Sequence, residues 1–254
     1  MLSKIYEMGR VKLISLIVPA YKQEKTIIKD LKNLENVLSS LQLEYEIVVV
    51  VDGFMDKTYE IVRKAKLRNV KLLGYEKNVG KGFAIKYGVE SANGEVVGFI
   101  DAGMDLEPSE ISLMLDIMEW NKADIVLGSK LHPESKVNYP IGRKILSWGY
   151  RTLTHILFGF RVRDTQVGLK IFRRKVAKAV FSKIVVKRFA FDIEVLAVAY
   201  RLGYTKIYEA PIKLNFNGAS SVTSTNFWKI IISMLWDTAA VFYRANVLHY
   251  YDKS

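Results

Sequence analysis

Leu13-Ile14-Ser15-Leu16-Ile17-Val18, closed by Pro19, is the stretch from which the fold is read. A short, almost unbroken apolar run of this kind describes a buried strand. The next element has a different period. Thr26 to Leu41 places Ile27, Leu31, Leu34 and Leu38 on one side of a helix. The alternation then continues. Strands are expected at Glu46 to Val51, Val70 to Gly74, Val96 to Ile100 and Ala123 to Gly128. Helices are expected between them at Asp56 to Lys66, Gly82 to Ser91 and Ser109 to Asn121, with Ser109 as a cap. This β-α-β-α order predicts an α/β fold, a mostly parallel central sheet with helices on both faces. Ligands of such sheets bind beyond the carboxyl ends of the strands. The loops after Val18, Val51, Gly74 and Ile100 are therefore the ones to inspect.

The second half changes character. Gly142 to Phe160, Val176 to Ile184 and Phe191 to Leu202 read as helices, and Ile207 to Phe216 as a strand. Asn226 to Val247 reads as a long, very apolar helix. The expected organisation is one catalytic-sized domain over residues 1–222, followed by an amphipathic helical extension over residues 223–254.

Composition narrows the classes. The chain has 254 residues, half of them hydrophobic, which suffices for one large core. Cysteine is absent, which excludes disulfides and thiolate metal sites. A net charge of +12 favours a polyanionic partner: nucleic acid, an anionic membrane or phosphorylated substrates. No nucleic-acid-binding motif accompanies it. Charged residues interrupt the segment Met1 to Lys12, which does not read as a signal peptide. No apolar run is long enough for a transmembrane helix, so membrane contact is expected to be peripheral.

Ile100-Asp101-Ala102-Gly103-Met104-Asp105 puts two carboxylates at a strand's carboxyl end. Two such groups in one loop repel each other unless a cation lies between them, and oxygen ligands suit Mg²⁺ or Mn²⁺. A diphosphate leaving group needs that cation as negative charge builds. A solvated loop with Asp105 capping the next helix explains the pattern equally well. Asn78-Val79-Gly80-Lys81-Gly82 lacks P-loop spacing. It either presents N–H groups and Lys81 to a phosphate at a helix N-terminus or is a plain turn. Asp52, in Val51-Asp52-Gly53-Phe54-Met55-Asp56, is an acceptor suited to a nucleobase N–H, and Asp56 a helix cap.

Taken in order and at their spacing, Pro19-Ala20-Tyr21-Lys22-Gln23-Glu24, the Asp52-Gly53 loop, the Asn78–Gly82 loop and the Asp101–Asp105 loop resemble family 2 glycosyltransferases of the GT-A fold. Arg163-Asp164-Thr165-Gln166-Val167-Gly168-Leu169-Lys170-Ile171-Phe172 and Phe189-Ala190-Phe191-Asp192-Ile193-Glu194 look like the dolichyl-phosphate mannose and glucose synthases within it. The resemblance implies an inverting transfer of a hexose from a nucleotide sugar, UDP-glucose or GDP-mannose, to dolichyl or another polyprenyl phosphate. It implies that Pro19, Ala20, Tyr21, Glu24, Asp52, Lys81, Asp101 and Ala102 surround the donor. Asp101 and Asp105 would hold Mg²⁺ or Mn²⁺, and Lys130, Arg143 and Ser147 the acceptor phosphate. Asp101, Asp105 and Arg143 would carry the catalysis. The runs Asp164-Thr165-Gln166 and Phe189-Ala190-Phe191-Asp192 are closer to the glucose synthases. The sequence departs from the family pattern at Val51, Phe54, Gly103, Asn215 and Asn217. Gly103 stands where a second metal-ligating Asp is usual, and Asp105 is the expected substitute.

A phosphate monoester has a second pKa of ~6 and attacks without giving up a proton. No general base is then required, so Asp192 and Glu194 are expected to be anchors. A soluble-glycan acceptor is the rival reading, and it would make Asp192 essential. A non-catalytic nucleotide-sugar binding module is the second rival, supported by Val51 and Gly103 alone. Two helices carry the membrane expectation. At 100° per residue, Arg143, Ser147, Arg151 and Thr154 share an arc of about 80°, with Ile145, Leu153, Ile156 and Leu157 opposite. In the last helix Asn226, Lys229, Ser233, Asp237 and Arg244 form a narrow polar arc, and the rest, including Trp228 and Trp236, is apolar. That width suits the cytoplasmic surface of a membrane, with a homodimer interface as the alternative.

Overall fold

The computed structural model describes residues 11–103, 106–138, 141–187, 190–215 and 227–252, except for the side chains of residues 138, 141–147, 215 and 227–230. The first five strands lie where the apolar runs put them: β1 Leu13–Ala20, β2 Glu44–Asp52, β3 Val70–Tyr75, β4 Val96–Ile100 and β5 Ile125–Ser129. The helices between them are α1 Ile27–Ser39, α2 Thr58–Ala65, α3 Lys81–Ser91 and α4 Glu110–Trp120. Ser109 occupies the position before α4 but makes no side-chain capping bond. Asp56 lies one residue before the N-cap Lys57 and accepts the Thr58 N–H at 2.9 Å. A short strand β6, Lys136–Asn138, precedes α5, Ile141–Phe158. Leu169–Arg173, which periodicity leaves unassigned, forms β7. It is followed by α6 Arg174–Lys183 and α7 Phe191–Arg201. The expected strand from Ile207 divides at Ile212 into β8, Ile207–Pro211, and β9, Lys213–Asn215. The last helix, α8, spans Phe227–Asn246.

The main sheet has the order β3-β2-β1-β4-β7-β5-β8. All its neighbours are parallel except β7, which runs antiparallel to both β4 and β5. A parallel β6–β9 pair forms a second, small sheet. Side chains alternate across the main sheet. Val48 and Val50 of β2 join one apolar cluster, and Ile47, Val49 and Val51 the other. The first cluster is covered by α3, α6, α7 and α8, the second by α1, α2 and α4. Each fully buried aliphatic side chain contributes about 1.5–3 kcal/mol, so these two layers hold the strand ends in fixed register.

The order of strands brings the ends of β2, β1 and β4 side by side. The inserted β7 then carries the Asp164–Phe172 run directly beside β4, with Ile100 opposite Leu169 and Phe99 opposite Lys170. Helix α8 lies on the same core: Val241, Ala245 and the following Tyr251 are buried in the cluster that contains Phe172.

Candidate active site

The loop after β1 and the loop after β2 are stitched together. The Glu24 N–H donates to Asp56 at 3.1 Å, and the Lys57 N–H donates back to Glu24 at 3.2 Å. The Gln23 N–H donates to the Thr58 hydroxyl at 2.9 Å. Pro19 and Ala20 end β1, and Tyr21, 39% exposed, opens its loop. Of the residues expected around the donor, Pro19, Ala20, Tyr21, Glu24 and Asp52 therefore sit on two adjoining loops at the sheet's carboxyl edge.

Asp52 is used within the protein. Its carboxylate is 4% exposed. It accepts the N–H groups of Val79 at 2.8 Å and Gly80 at 3.0 Å, and the Asn78 side-chain amide at 2.7 Å. Gly53 follows with φ +86°, and a Cβ there would fall 2.6 Å from the Asn78 backbone nitrogen. The Asp-Gly pair is thus a clamp on residues 78–80. The Gly82 and Phe83 N–H groups donate to the Lys187 carbonyl at 2.9 and 3.4 Å. The N–H groups of Val79, Gly80 and Gly82 are thus used within the protein rather than presented to a phosphate.

What the segment does deliver is Lys81, at the first position of α3. Its ammonium lies 2.5 Å from Asp101 Oδ1. Asp101, at the end of β4, is fixed from the other side by β7: its N–H donates to the Gly168 carbonyl at 2.9 Å. Gly168 leaves no room for a side chain. A Cβ there would lie 1.9 Å from Asp101 Oδ2. Ala102 and Gly103 continue the loop. Gly103 has φ +108°, and a side chain there would meet nothing within 4 Å. The backbone angle, rather than space, favours glycine at this place. Its N–H is held by Asp30 of α1 at 2.9 Å. Asp105 lies outside the described residues, so the expected second metal ligand is not placed.

Behind Lys81 stands a second buried pair. Lys170 is fully buried, bonded to Asp192 and, at 2.6 Å, to the Val167 carbonyl. Both ammoniums lie by Phe99, Lys81 at 5.9 Å and Lys170 at 5.3 Å from the ring centre. Burial opposes the Lys81 charge, but Asp101 and Asp192 outweigh it and hold its pKa above the usual lysine value. Burial raises Asp192, and Lys170 and Lys81 offset only part of that. Burial lowers Lys170, with Asp192 offsetting part.

Lys130, just after β5, pairs with the buried Asp164 at 3.5 Å, and its N–H donates to the same carboxylate at 2.9 Å. Glu209 receives the N–H groups of Arg163 and Asp164, at 3.0 and 2.9 Å. Arg143 and Ser147 fall in the first two turns of α5; their side chains lie outside those described. Glu194 is fully buried. It accepts the N–H groups of Val185 and Val186 at 3.0 and 2.7 Å, the Tyr251 hydroxyl at 2.5 Å and Arg244 at 3.1 Å. Asp192 and Glu194 are thus bonded inside the protein as anchors. Sequence reasoning missed three residues around Asp101: Asp30, Gly168 and Lys170. A lysine inside the otherwise apolar Leu169-Lys170-Ile171-Phe172 was the one available signal. Among the described residues, no cluster of three or more acidic, His or Cys side chains forms a ready metal cage.

A parallel sheet with one antiparallel insertion, ending in clamped loops around a partly exposed Asp101, is the GT-A architecture, and the chain is a glycosyltransferase. It belongs to glycosyl transferase family 2, whose family model matches residues 15–181. Among curated relatives it is 33% identical over 251 residues to a dolichyl-phosphate beta-glucosyltransferase of Trichomonas vaginalis, covering 94% of this chain and 76% of that one. It is 32% identical over 234 residues to the dolichyl-phosphate beta-glucosyltransferase of Homo sapiens, covering 85% and 71%. Two solved structures share the fold. Glucosyl-3-phosphoglycerate synthase of Mycobacterium tuberculosis, solved with Mn²⁺, UDP and glucosyl-3-phosphoglycerate, has a TM-score of 0.67 at 18% identity, covering 95% and 81%. Mannosyl-3-phosphoglycerate synthase of Rubrobacter xylanophilus has a TM-score of 0.69 at 15% identity, covering 99% and 79%.

Proposed function

We propose that this enzyme moves glucose, with inversion, from UDP-glucose to dolichyl phosphate or another polyprenyl phosphate at the cytoplasmic surface of a membrane. The single observation that carries the reading is Asp101. It stands at the carboxyl end of a central strand, 38% exposed, with a full positive charge held 2.5 Å away. A hard oxygen donor that already balances a cation suits Mg²⁺ or Mn²⁺. Bound there, the ion would neutralise the departing diphosphate. Asp105 is the proposed second ligand. The glucosyltransferase names of the relatives at 33% and 32% identity support glucose over mannose and a lipid phosphate over a soluble glycan. The absence of a free carboxylate at Asp192 and Glu194 fits an acceptor that needs no base. Lys130, Arg143 and Ser147 are the proposed acceptor contacts, on the β5 end and the start of α5. The donor is assigned to the edge formed by Pro19, Ala20, Tyr21, Glu24, Asp52, Lys81, Asp101 and Ala102, with Asp52 acting as the clamp of that edge.

The membrane part of the proposal rests on two helices whose apolar faces point outward. On α8, Ile232 is 64% exposed, Trp236 77% and Tyr243 52%. On α5, Trp148 is 61% and Ile156 77% exposed. Some polar residues of the same helices are turned inward, while Thr152 and Ser233 are exposed. Thr154 and Thr238 are buried, Tyr150 and Thr238 share a 2.7 Å hydrogen bond, and Arg244 reaches Glu194. Large exposed apolar side chains on both helices match an interfacial surface. The net charge of +12 would add attraction to an anionic leaflet. No described helix is long and apolar enough to cross a membrane. The same face fits a second copy of the chain, which light scattering beside liposome pelleting would distinguish. The test of the donor and acceptor is a panel of UDP- and GDP-sugars offered with a short polyprenyl phosphate. UDP-glucose should be used far best; equal or better use of GDP-mannose would overturn the donor assignment.

A further inference from the structure

The charges around Asp101 alternate in sign. Asp101 touches Lys81, the Lys81 ammonium lies 5.6 Å from the ring of Phe191, the residue before Asp192, and Asp192 is bonded to Lys170. Lys170 and Asp192 are locked: Lys170 is fully buried, and the Val167 carbonyl holds its ammonium from a second side. Lys81 is different. A quarter of its side chain is exposed, and it projects from the first residue of α3 on a flexible stem. Two aromatic rings, Phe99 at 5.9 Å and Phe191 at 5.6 Å, flank its ammonium and would hold a cation that had left Asp101. An ammonium and a divalent ion cannot both sit on the same oxygen of Asp101, because they repel each other at that range.

We propose that Lys81 is a tethered counter-ion for the metal site: with no metal present its ammonium neutralises Asp101, and when a divalent cation takes Asp101 the ammonium turns toward Asp192. The proposal rests on the reading of Asp101 as the metal ligand. It gives the buried Lys170–Asp192 pair a task. Lys170 is bonded to Oδ1 of Asp192, and the other carboxylate oxygen is what receives Lys81. The exchange keeps Asp101 paired with a cation in both states, so the empty site need not leave a lone carboxylate facing the diphosphate that must bind there. It also explains why the Asn78–Gly80 segment is clamped by Asp52. The clamp fixes the start of α3, from which Lys81 must reach Asp101 in one state and Asp192 in the other.

The test is a double-mutant cycle on Mn²⁺ affinity, with UDP present. Water-proton relaxation reads the cycle, since it separates protein-bound Mn²⁺ from Mn²⁺ on free UDP. Lys81→Met removes the competitor and should tighten Mn²⁺ about fivefold, the scale of a partly exposed ion pair. Asp192→Asn removes the receiving charge and should weaken Mn²⁺ in the wild-type background, yet have little effect when Lys81 is already Met. Should Asp192→Asn unfold the protein by stranding Lys170, the neutral pair Lys170→Met with Asp192→Asn replaces it and carries the same expectation. Weaker Mn²⁺ binding in Lys81→Met would overturn the proposal, as would an equal effect of the Asp192 change in both backgrounds. Failure of the wild-type protein to bind Mn²⁺ at all would instead overturn the metal reading beneath it.

Discussion

Gly168→Ala is the sharpest probe of how the site is held. The added Cβ would lie 1.9 Å from Asp101 Oδ2, 2.2 Å from its carboxyl carbon and 2.7 Å from Oδ1. Ordinary contact begins at 3.4 Å, so the carboxylate must move by about 1.5 Å. The backbones cannot part to make the room, because the Asp101 N–H to Gly168 carbonyl bond and the β4–β7 ladder hold them together. Gly168 is not among the residues with positive φ, so alanine suffers no backbone strain and the effect is steric. The carboxylate is the movable part, and overpacking of this kind costs about 1–3 kcal/mol of stability. The functional cost is larger. A reacting or metal-holding group misplaced by ~1 Å loses about 100-fold in rate. Transfer of labelled glucose to a polyprenyl phosphate should therefore fall by about two orders of magnitude in a protein that still unfolds cooperatively. Mn²⁺ affinity should fall with it. Wild-type turnover and wild-type Mn²⁺ affinity in a folded Gly168→Ala protein would refute the placement of Asp101.

Three other perturbations test separate parts of the structure. Asp52→Ala leaves the Val79 and Gly80 N–H groups without their acceptor, and a loss of about 3 kcal/mol is expected in chemical denaturation; a neutral result would show that the clamp is dispensable. Trp236→Glu combined with Tyr243→Glu alters only exposed apolar surface, so liposome pelleting should be lost while the melting temperature and UDP affinity are kept; retained pelleting would remove α8 from the membrane face. Burial works to raise Glu46, but bonds from the Ser15 hydroxyl and the Asn93 N–H outweigh it and leave its pKa below the usual carboxylate value. Its contribution is thus present at neutral pH and lost as pH falls through that depressed pKa, so Glu46→Gln should lower the melting temperature at neutral pH and converge with wild type in acid.

The layered sheet was legible because strands buried on both faces carry continuous apolar runs, and Ile27, Leu31, Leu34 and Leu38 mark the covering helix without ambiguity. β7 escaped because Lys170 and Arg173 break its apolar character, and the reason for Lys170 lies far off in sequence, at Asp192. The carboxylate at Asp101 was legible from its place after an apolar strand. Its neighbours were not: Asp30 looks like one more polar residue on a helix, and the need for a glycine at 168 arises only when β7 is laid beside β4. The Asn78–Gly82 segment shows the converse limit. Its residues look like a phosphate loop, but hydrogen-bond partners decide what N–H groups are free to do, and Asp52 and Lys187 take those of Val79, Gly80 and Gly82. Helical periodicity likewise found the polar and apolar arcs of α5 and α8 without saying which arc faces the protein.

The central claim is a metal-assisted transfer to a phosphate acceptor that requires no base. Its most direct test is UDP release from UDP-glucose in the presence of polyprenyl phosphate, compared with the corresponding polyprenol, each with and without a chelator. Release should occur with the phosphate alone, yield a β-linked glucosyl phosphate by NMR, and stop with chelator or in Asp101→Asn. Comparable release with the polyprenol, or undiminished transfer in excess chelator, would contradict the account.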